Sequence, residues 1–191
     1  MLAIFGDPHA DFAAVQAHLG EVEAEAAILL GDQTPHADGD LAGVNQLAPT
    51  WFVMGNHDVD QTVYIERHMA ELGPERDLSR GIAEIAGWRV AGLGGVFKGK
   101  VWTPGSDRPP KWYSRADHIQ GVPKRDRVCE GPTRAHWDTI FPADLDYFLE
   151  GGHQADILVL HEAPECHETG LAALGDVARA LGVQMVFHGH K

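Results

Sequence analysis

Carboxylate, amide and imidazole side chains occur along this chain as an ordered series of short clusters. They are Asp7-Pro8-His9, Gly31-Asp32, Gly55-Asn56-His57-Asp58, His161 and His188-Gly189-His190. Each cluster closely follows or ends a short apolar run, at residues 2–5, 26–30, 51–54, 157–160 and 185–187. Apolar runs of this length, bounded by turn residues, read as buried strands. Parallel sheets bind ligands at the carboxyl ends of their strands. These strand ends would therefore bring oxygen and nitrogen donors to one edge, a donor mixture suited to divalent metal ions.

Taken singly, the same residues have ordinary readings. Asp7 alone would be a turn or capping residue, His9 a surface imidazole, Asp32 the start of an Asp-Gln turn, His57 an exposed loop histidine and His161 a structural one. As a set they read as ligands. Pro8 restrains the loop that carries Asp7 and His9, and Asp32 has two carboxylate oxygens with which to bridge two cations. Asn56 offers a neutral amide oxygen after the tight turn that Gly55 allows. Asp58 is expected to orient the His57 imidazole and raise its pKa, which keeps a proton donor available near neutral pH.

The elements that must position these groups alternate. Helices are expected over residues 11–25, behind an Asp11 cap with Phe12, Val15, Leu19 and Val22 on one face, and over 41–47, 61–72, 143–150 and 171–181. Residues 82–85 and 88–93 flank Ala86-Gly87 as a hairpin. Strands alternating with helices imply an α/β layered domain. Between about 94 and 142 regular periodicity dissolves among prolines and glycines, and a stretch that long without elements of its own is usually functional or disordered. Aromatic residues interleaved with basic ones there, including Trp102, Trp112 and Tyr113, disfavour plain disorder.

A chain of 191 residues can form one domain with a substantial core, and Cys129 and Cys166 supply no disulfide or C-x-x-C framework. Without an evident leader or a run of membrane-spanning length, a cytoplasmic protein that does not cross a membrane is expected. The net charge of −13 disfavours a general nucleic-acid-binding surface. Residues 98–134 nevertheless hold nine Lys or Arg against four Asp or Glu, a local charge of +5 that leaves −18 on the remainder.

The order D-x-H, G-D, G-N-H-D, H and G-H resembles the calcineurin-like metallophosphoesterases, from Phe5 to the last residue. The resemblance implies a single domain over 1–191: a four-layer αββα sandwich of two mixed β-sheets flanked by helices, without the strands that usually follow the family's last histidine motif. It implies two divalent ions, with Asp7 and His9 on the first, Asn56 and His161 on the second and Asp32 between them. Mn²⁺ leads among the metals, with Fe, Zn, Co and Ni as alternatives. The implied activity is hydrolysis of a phosphomonoester or phosphodiester through a metal-bridging hydroxide, with His57 contacting the phosphate and protonating the leaving oxygen.

Two features of the resemblance stay open. The family's closing Gly-His-x-His can start at Gly189-His190-Lys191, one residue short of its last histidine, or His188-Gly189-His190 can stand for His-x-His. His190 is a ligand in both readings and His188 only in the second. The G-D-x-x-D-R-G of the protein phosphatase branch is absent, since Asp32 leads into Gln33-Thr34-Pro35-His36. A replacement cation could come from Lys98, Lys100, Arg108, Lys111 or Arg115, so Lys98, Lys100 and Arg108 join Asn56 and His57 as expected substrate-binding residues. The alternative is a solvated surface loop. His36 is the other histidine near a motif and could face substrate. A small phosphate ester is the expected partner, ahead of nucleic acid. The rival functions are a non-catalytic scaffold, as in the retromer subunit of this fold, and a nuclease-type phosphodiesterase working through the basic segment. The sequence assigns no oligomeric state.

Overall fold

The strands of this chain are short and apolar, and the side to which each residue points decides what each sheet covers. The computed structural model describes residues 1–190. Strands β1 (Leu2–Phe5), β2 (Ala26–Leu29) and β3 (Thr50–Phe52) form one sheet in that order, all parallel. Strands β4 (Arg80–Ile85), β5 (Trp88–Leu93), β6 (Ile157–Leu160) and β7 (Met185–His188) form the other. There β4 and β5 are antiparallel while β5, β6 and β7 run parallel. Of the two sheets expected to be mixed, only the second is. Helical crossovers return the chain to the same end between β1, β2 and β3, which makes that sheet wholly parallel.

Alternation along the strands sorts the core into three interfaces. Ile28 of β2, Val90 of β5 and Ile157 and Val159 of β6 pack between the sheets, with Leu2, Ile4 and Met185 at the margin. Their neighbours Ala27 and Leu29 turn the other way, against α1 (Phe12–Glu21), α2 (Asp40–Leu47) and α3 (Thr62–Glu71) through Phe12, Val15, Leu19, Leu41, Val44 and Ile65. On the far side, Ala91, Leu93, Leu158 and Leu160 meet α5 (Pro142–Glu150) and α6 (Ala172–Leu181) through Leu145, Phe148, Leu174 and Val177. Side chains that alternate with period two between a sheet face and a helix face produce an αββα sandwich.

Several local expectations are refined. The first helix stops at Glu21, because Val22 is extended and exposed rather than part of the buried stripe. The β4–β5 turn places Ala86 and Gly87 both at positive φ, 49° and 79°, as a two-residue type I′ turn requires. The segment 94–142 holds a helix that its sequence does not advertise, α4 (Arg115–Gly121), opened by a reciprocal capping box between Ser114 and Asp117. Trp112, His118 and His136 pack edge to face beside it, with ring centroids 4.4–5.1 Å apart. Among the described residues no helix is long and apolar enough to cross a membrane.

Ile28 is fully buried between the two sheets. Ile28→Ala is expected to destabilise the fold by about 2–5 kcal/mol, since both sheets would have to move to close the cavity. Denaturant unfolding of the two proteins measures this; a loss below about 1 kcal/mol would mean that the interface repacks freely.

Candidate metal centre

The loops that leave β1, β2, β3, β6 and β7 meet at one end of the sandwich, and their backbone is held in an unusual conformation. Asp7, His9, Asp32 and His190 have φ of 43°, 44°, 53° and 58°. Left-handed backbone at non-glycine residues costs ~1–3 kcal/mol each and persists only where surrounding bonds over-determine it. Those bonds cross between loops. His9 N–H donates to Asp32 O (2.9 Å), Ala10 N–H to Gln33 O (2.9 Å) and His190 N–H to Asp7 Oδ2 (2.7 Å).

His161 shows what the strained loops enclose. Its ring is buried, and Nδ1–H donates to Leu30 O at 2.8 Å, which leaves Nε2 as a bare lone pair. Nε2 faces Asn56 Oδ1 at 3.1 Å and Asp32 Oδ1 at 3.5 Å, with the Asn56 backbone N–H at 3.4 Å as a weak donor. Asp32, His161 and His190 each offer a ligand atom, all within 4.8 Å of one another. His9 Nε2 lies 3.9 Å from the second Asp32 oxygen. Asp7 Oδ1 is buried with no hydrogen-bond partner among the described residues. Acceptors crowded together, one of them buried and unsatisfied, are stabilised by a cation between them and costly without one. The residues present therefore fit divalent metal ions.

Two glycines make the convergence possible. A Cβ on Gly31, whose φ is 99°, would collide with the His161 ring, and one on Gly55 would strike Asp32 Oδ1 and the same ring. Gly31-Asp32 and Gly55-Asn56 are glycine pairs because the imidazole lies directly against their backbones. His188 stays outside this group. As the last residue of β7 it pairs with Leu160 of β6, its Nδ1 bonds Gly189 O at 3.0 Å, and its ring lies 5.8 Å from that of His167.

His57 and Asp58 follow on a 3₁₀ turn, His57–Val59. The His57 N–H donates to Asp32 Oδ1 (2.8 Å), which ties the exposed imidazole to the acceptor group. The partner of that imidazole is Asp60, not Asp58 as the sequence reading expects: His57 Nδ1 lies 2.8 Å from Asp60 Oδ2. In a 3₁₀ turn residues three apart stack on one side, so Asp60 meets His57 while Asp58 points inward. The bond to Asp60 raises the His57 pKa above the ordinary histidine range, helped by the charges of Asp32 and Asp58. Asp58 is completely buried, accepts from Thr34 N–H and Gly55 N–H at 2.8 Å each, and lies 4.0 Å from His68. Burial pushes its own pKa up. Asp58 thus fastens the loops after β2 and β3 to each other.

This chain matches the family described as calcineurin-like phosphoesterase over residues 1–191. It belongs to that family. The chain is also 34% identical over 190 residues to an uncharacterized protein of Haemophilus influenzae, a match covering 100% of this chain and 82% of that protein.

A calcineurin-like phosphoesterase needs cations to hold a phosphate, and the basic segment offers fewer than its charge suggests. Lys98, one of the expected substrate-binding residues, has its Nζ bound to Asp138 Oδ1 (2.5 Å) and Ala135 O (2.7 Å). Arg115 donates to Trp137 O (3.1 Å) and lies over the Trp137 ring, and burial, with Arg80 nearby, pushes its pKa down to about 9. Lys111 lies 4.1 Å above Trp112. Lys100 and Arg108 are exposed, and their side chains make no hydrogen bond or ion pair among the described residues. The sequence reading passed over Arg134, which reaches out of the segment to donate to Val59 O and Asp60 O at 2.6 Å each. His36 lies outside the ligand group, its ring 5.6 Å from that of Tyr64.

Asp60→Asn should lower the His57 pKa toward the ordinary value, because the carboxylate that stabilises the imidazolium is gone. Histidine resonances of the metal-free protein followed across pH measure the change. An unchanged His57 midpoint would remove Asp60 from this role.

Proposed function

We propose that this protein is a dinuclear metal-dependent phosphoesterase that hydrolyses a small phosphomonoester or phosphodiester. The observation that carries the reading is the acceptor group around His161 Nε2, set beside the His57–Asp60 pair. Asp7, His9 and Asp32 would hold one ion and Asp32, Asn56, His161 and His190 the other, with Mn²⁺ the leading candidate ahead of Fe, Zn, Co and Ni. Mixed nitrogen and oxygen donors do not select among these metals. When bound, the ions supply a water of lowered pKa and neutralise charge on the phosphoryl oxygens.

The chain's own residues perform the rest. Asp60 holds the Nδ1 proton of His57, so Nε2 is the atom that gives its proton to the leaving oxygen. Asp32 fixes the backbone of His57 through its N–H, which keeps the acid in register with the ligand group. Asn56 and His57 together face the phosphate, with the exposed Lys100 and Arg108 of the basic segment as its further cations. The presence of the His57–Asp60 pair argues against a scaffold that only binds metal. The nuclease reading is weakened because Lys98, Arg115 and Arg134, which could track a polynucleotide backbone, already donate to main-chain carbonyls.

Hydrolysis of p-nitrophenyl phosphate against bis-p-nitrophenyl phosphate, across the candidate metals, tests the activity and separates monoesterase from diesterase. Absence of metal-dependent turnover of either ester would overturn the proposal. Asp32→Ala should deplete both ions, and His190→Ala should strip metal where His188→Ala does not. Elemental analysis reads both comparisons, and equal losses in the two histidine variants would make His188 a ligand.

His57→Ala should retain metal while kcat falls on the order of 10²–10⁴-fold. The fall should be smaller for p-nitrophenol esters, whose leaving group needs little protonation, than for alkyl esters. Equal losses for both would remove His57 from the acid role.

A further inference from the structure

The turn that carries His57 is fastened unevenly. Its beginning is tied inward by two carboxylates, since Asp32 accepts from His57 N–H and Asp58 accepts from Gly55 N–H and Thr34 N–H. Its end leads through Val59 and Asp60 into α3, and the side chain of exposed Asp60 is bound to the His57 ring. At that end the carbonyls of Val59 and Asp60 each accept a hydrogen bond from Arg134 Nη1 at 2.6 Å, across 75 and 74 residues of sequence. A cationic donor at the last carbonyls of a helical turn satisfies them and stabilises that turn.

Arg134 reaches the turn from a base that is itself hydrogen-bonded. It opens the 3₁₀ turn Arg134–His136, whose next residue, Ala135, accepts from Lys98. Lys98 also holds Asp138, and Asp138 O accepts from Val96 N–H at 2.8 Å just beyond β5. Gly95 N–H in turn donates to Met54 O, two residues beyond β3, at 2.6 Å. The base of Arg134 is thus referenced to both sheets. A one-residue shift of the 59–60 backbone would carry the Asp60 carboxylate away from the imidazole.

We infer that Arg134 is a positioning residue for His57: it clamps the Val59 and Asp60 carbonyls and so fixes the carboxylate that orients the imidazole. The inference rests on the reading of His57 as proton donor. Through this clamp the irregular segment, which carries none of the metal ligands, sets the geometry of the acid. The Arg134 Nε and Nη2 groups make no further hydrogen bond among the described residues, so a direct grip on the phosphate is the competing role, with a different kinetic signature.

Arg134→Ala should lower kcat for an alkyl phosphate on the order of 10-fold or more while p-nitrophenyl phosphate turnover changes less than about 3-fold. KM for both should stay within about twofold. Arg134→Lys, whose ammonium can donate to two carbonyls, should recover most of the loss, as should millimolar guanidinium added to Arg134→Ala. Combined with His57→Ala, the Arg134→Ala change should add no further leaving-group dependence. Apart from activity, the His57 side-chain NMR resonance of metal-free Arg134→Ala should shift or broaden at fixed pH, while that of His161 stays in place. A raised KM with the leaving-group ratio unchanged would assign Arg134 to phosphate binding and overturn the inference. Equal losses for both esters would also overturn it, as an effect on the fold and not on the acid. If His57→Ala itself shows no leaving-group dependence, the acid assignment fails and the positioning role falls with it. If His57→Ala shows it and Arg134→Ala does not, only the positioning role fails.

Discussion

The hydrogen bond from His161 Nδ1 to the carbonyl of Leu30 joins the two sheets at the edge where their ligand loops meet. It sets three things together: the contact between the β2 and β6 ends, the orientation of the ring, and the tautomer that leaves Nε2 bare. The glycines at 31 and 55, the buried Asp32 oxygens and the Asn56 amide are then arranged around an imidazole oriented by that bond. A ligating histidine is commonly held this way by a carbonyl on its other nitrogen, which raises its basicity toward a metal. Here the holding group is main chain, so its position follows directly from the docking of one sheet on the other.

Much of this was legible in the sequence, because the oxygen and nitrogen donors sit at fixed offsets from short apolar runs. The strand ends at Asp7, Asp32, Asn56, His161 and His190 could be read from that pattern, as could a layered α/β domain, whereas the four-layer sandwich came with the family resemblance. What was not legible lies in geometry finer than spacing. The sequence places Asp58 next to His57, yet the 3₁₀ turn brings Asp60 to the ring and sends Asp58 inward. The signal available was an acidic residue three positions after the histidine, informative only once the turn type is known. The wholly parallel first sheet agrees with the strand–helix alternation, and it is the resemblance that implied a mixed one.

The basic segment was legible as charge and illegible as structure. Irregular chain has carbonyls that no ladder satisfies, and buried carbonyls must find donors. Lys98, Arg115, Arg127 and Arg134 donate to the carbonyls of Ala135, Trp137, Val122, Val59 and Asp60. Lysine and arginine here replace the backbone bonds that helices and strands would make. Counting charges, as a sequence reading must, cannot separate a cation facing solvent from one bound to main chain. Three of the segment's nine cations, Lys98, Arg115 and Arg127, are thus spent on its own carbonyls, and Arg134 on those of the neighbouring turn.

The left-handed residues of the ligand loops have a consequence for how this protein responds to selection. Asp and His tolerate that conformation better than most residues, so Ala10 is the least suited to it, yet each of Asp7, His9, Ala10, Asp32 and His190 would be less strained as glycine. Glycine at any of these positions would relax the backbone, and at positions 9 and 190 it would also delete an imidazole from the cluster of donor atoms. Variants chosen only for thermal tolerance would therefore drift toward glycine at this edge and lose donor atoms as they gained stability. The most improvable part of the fold is the part whose side chains leave the least room for improvement.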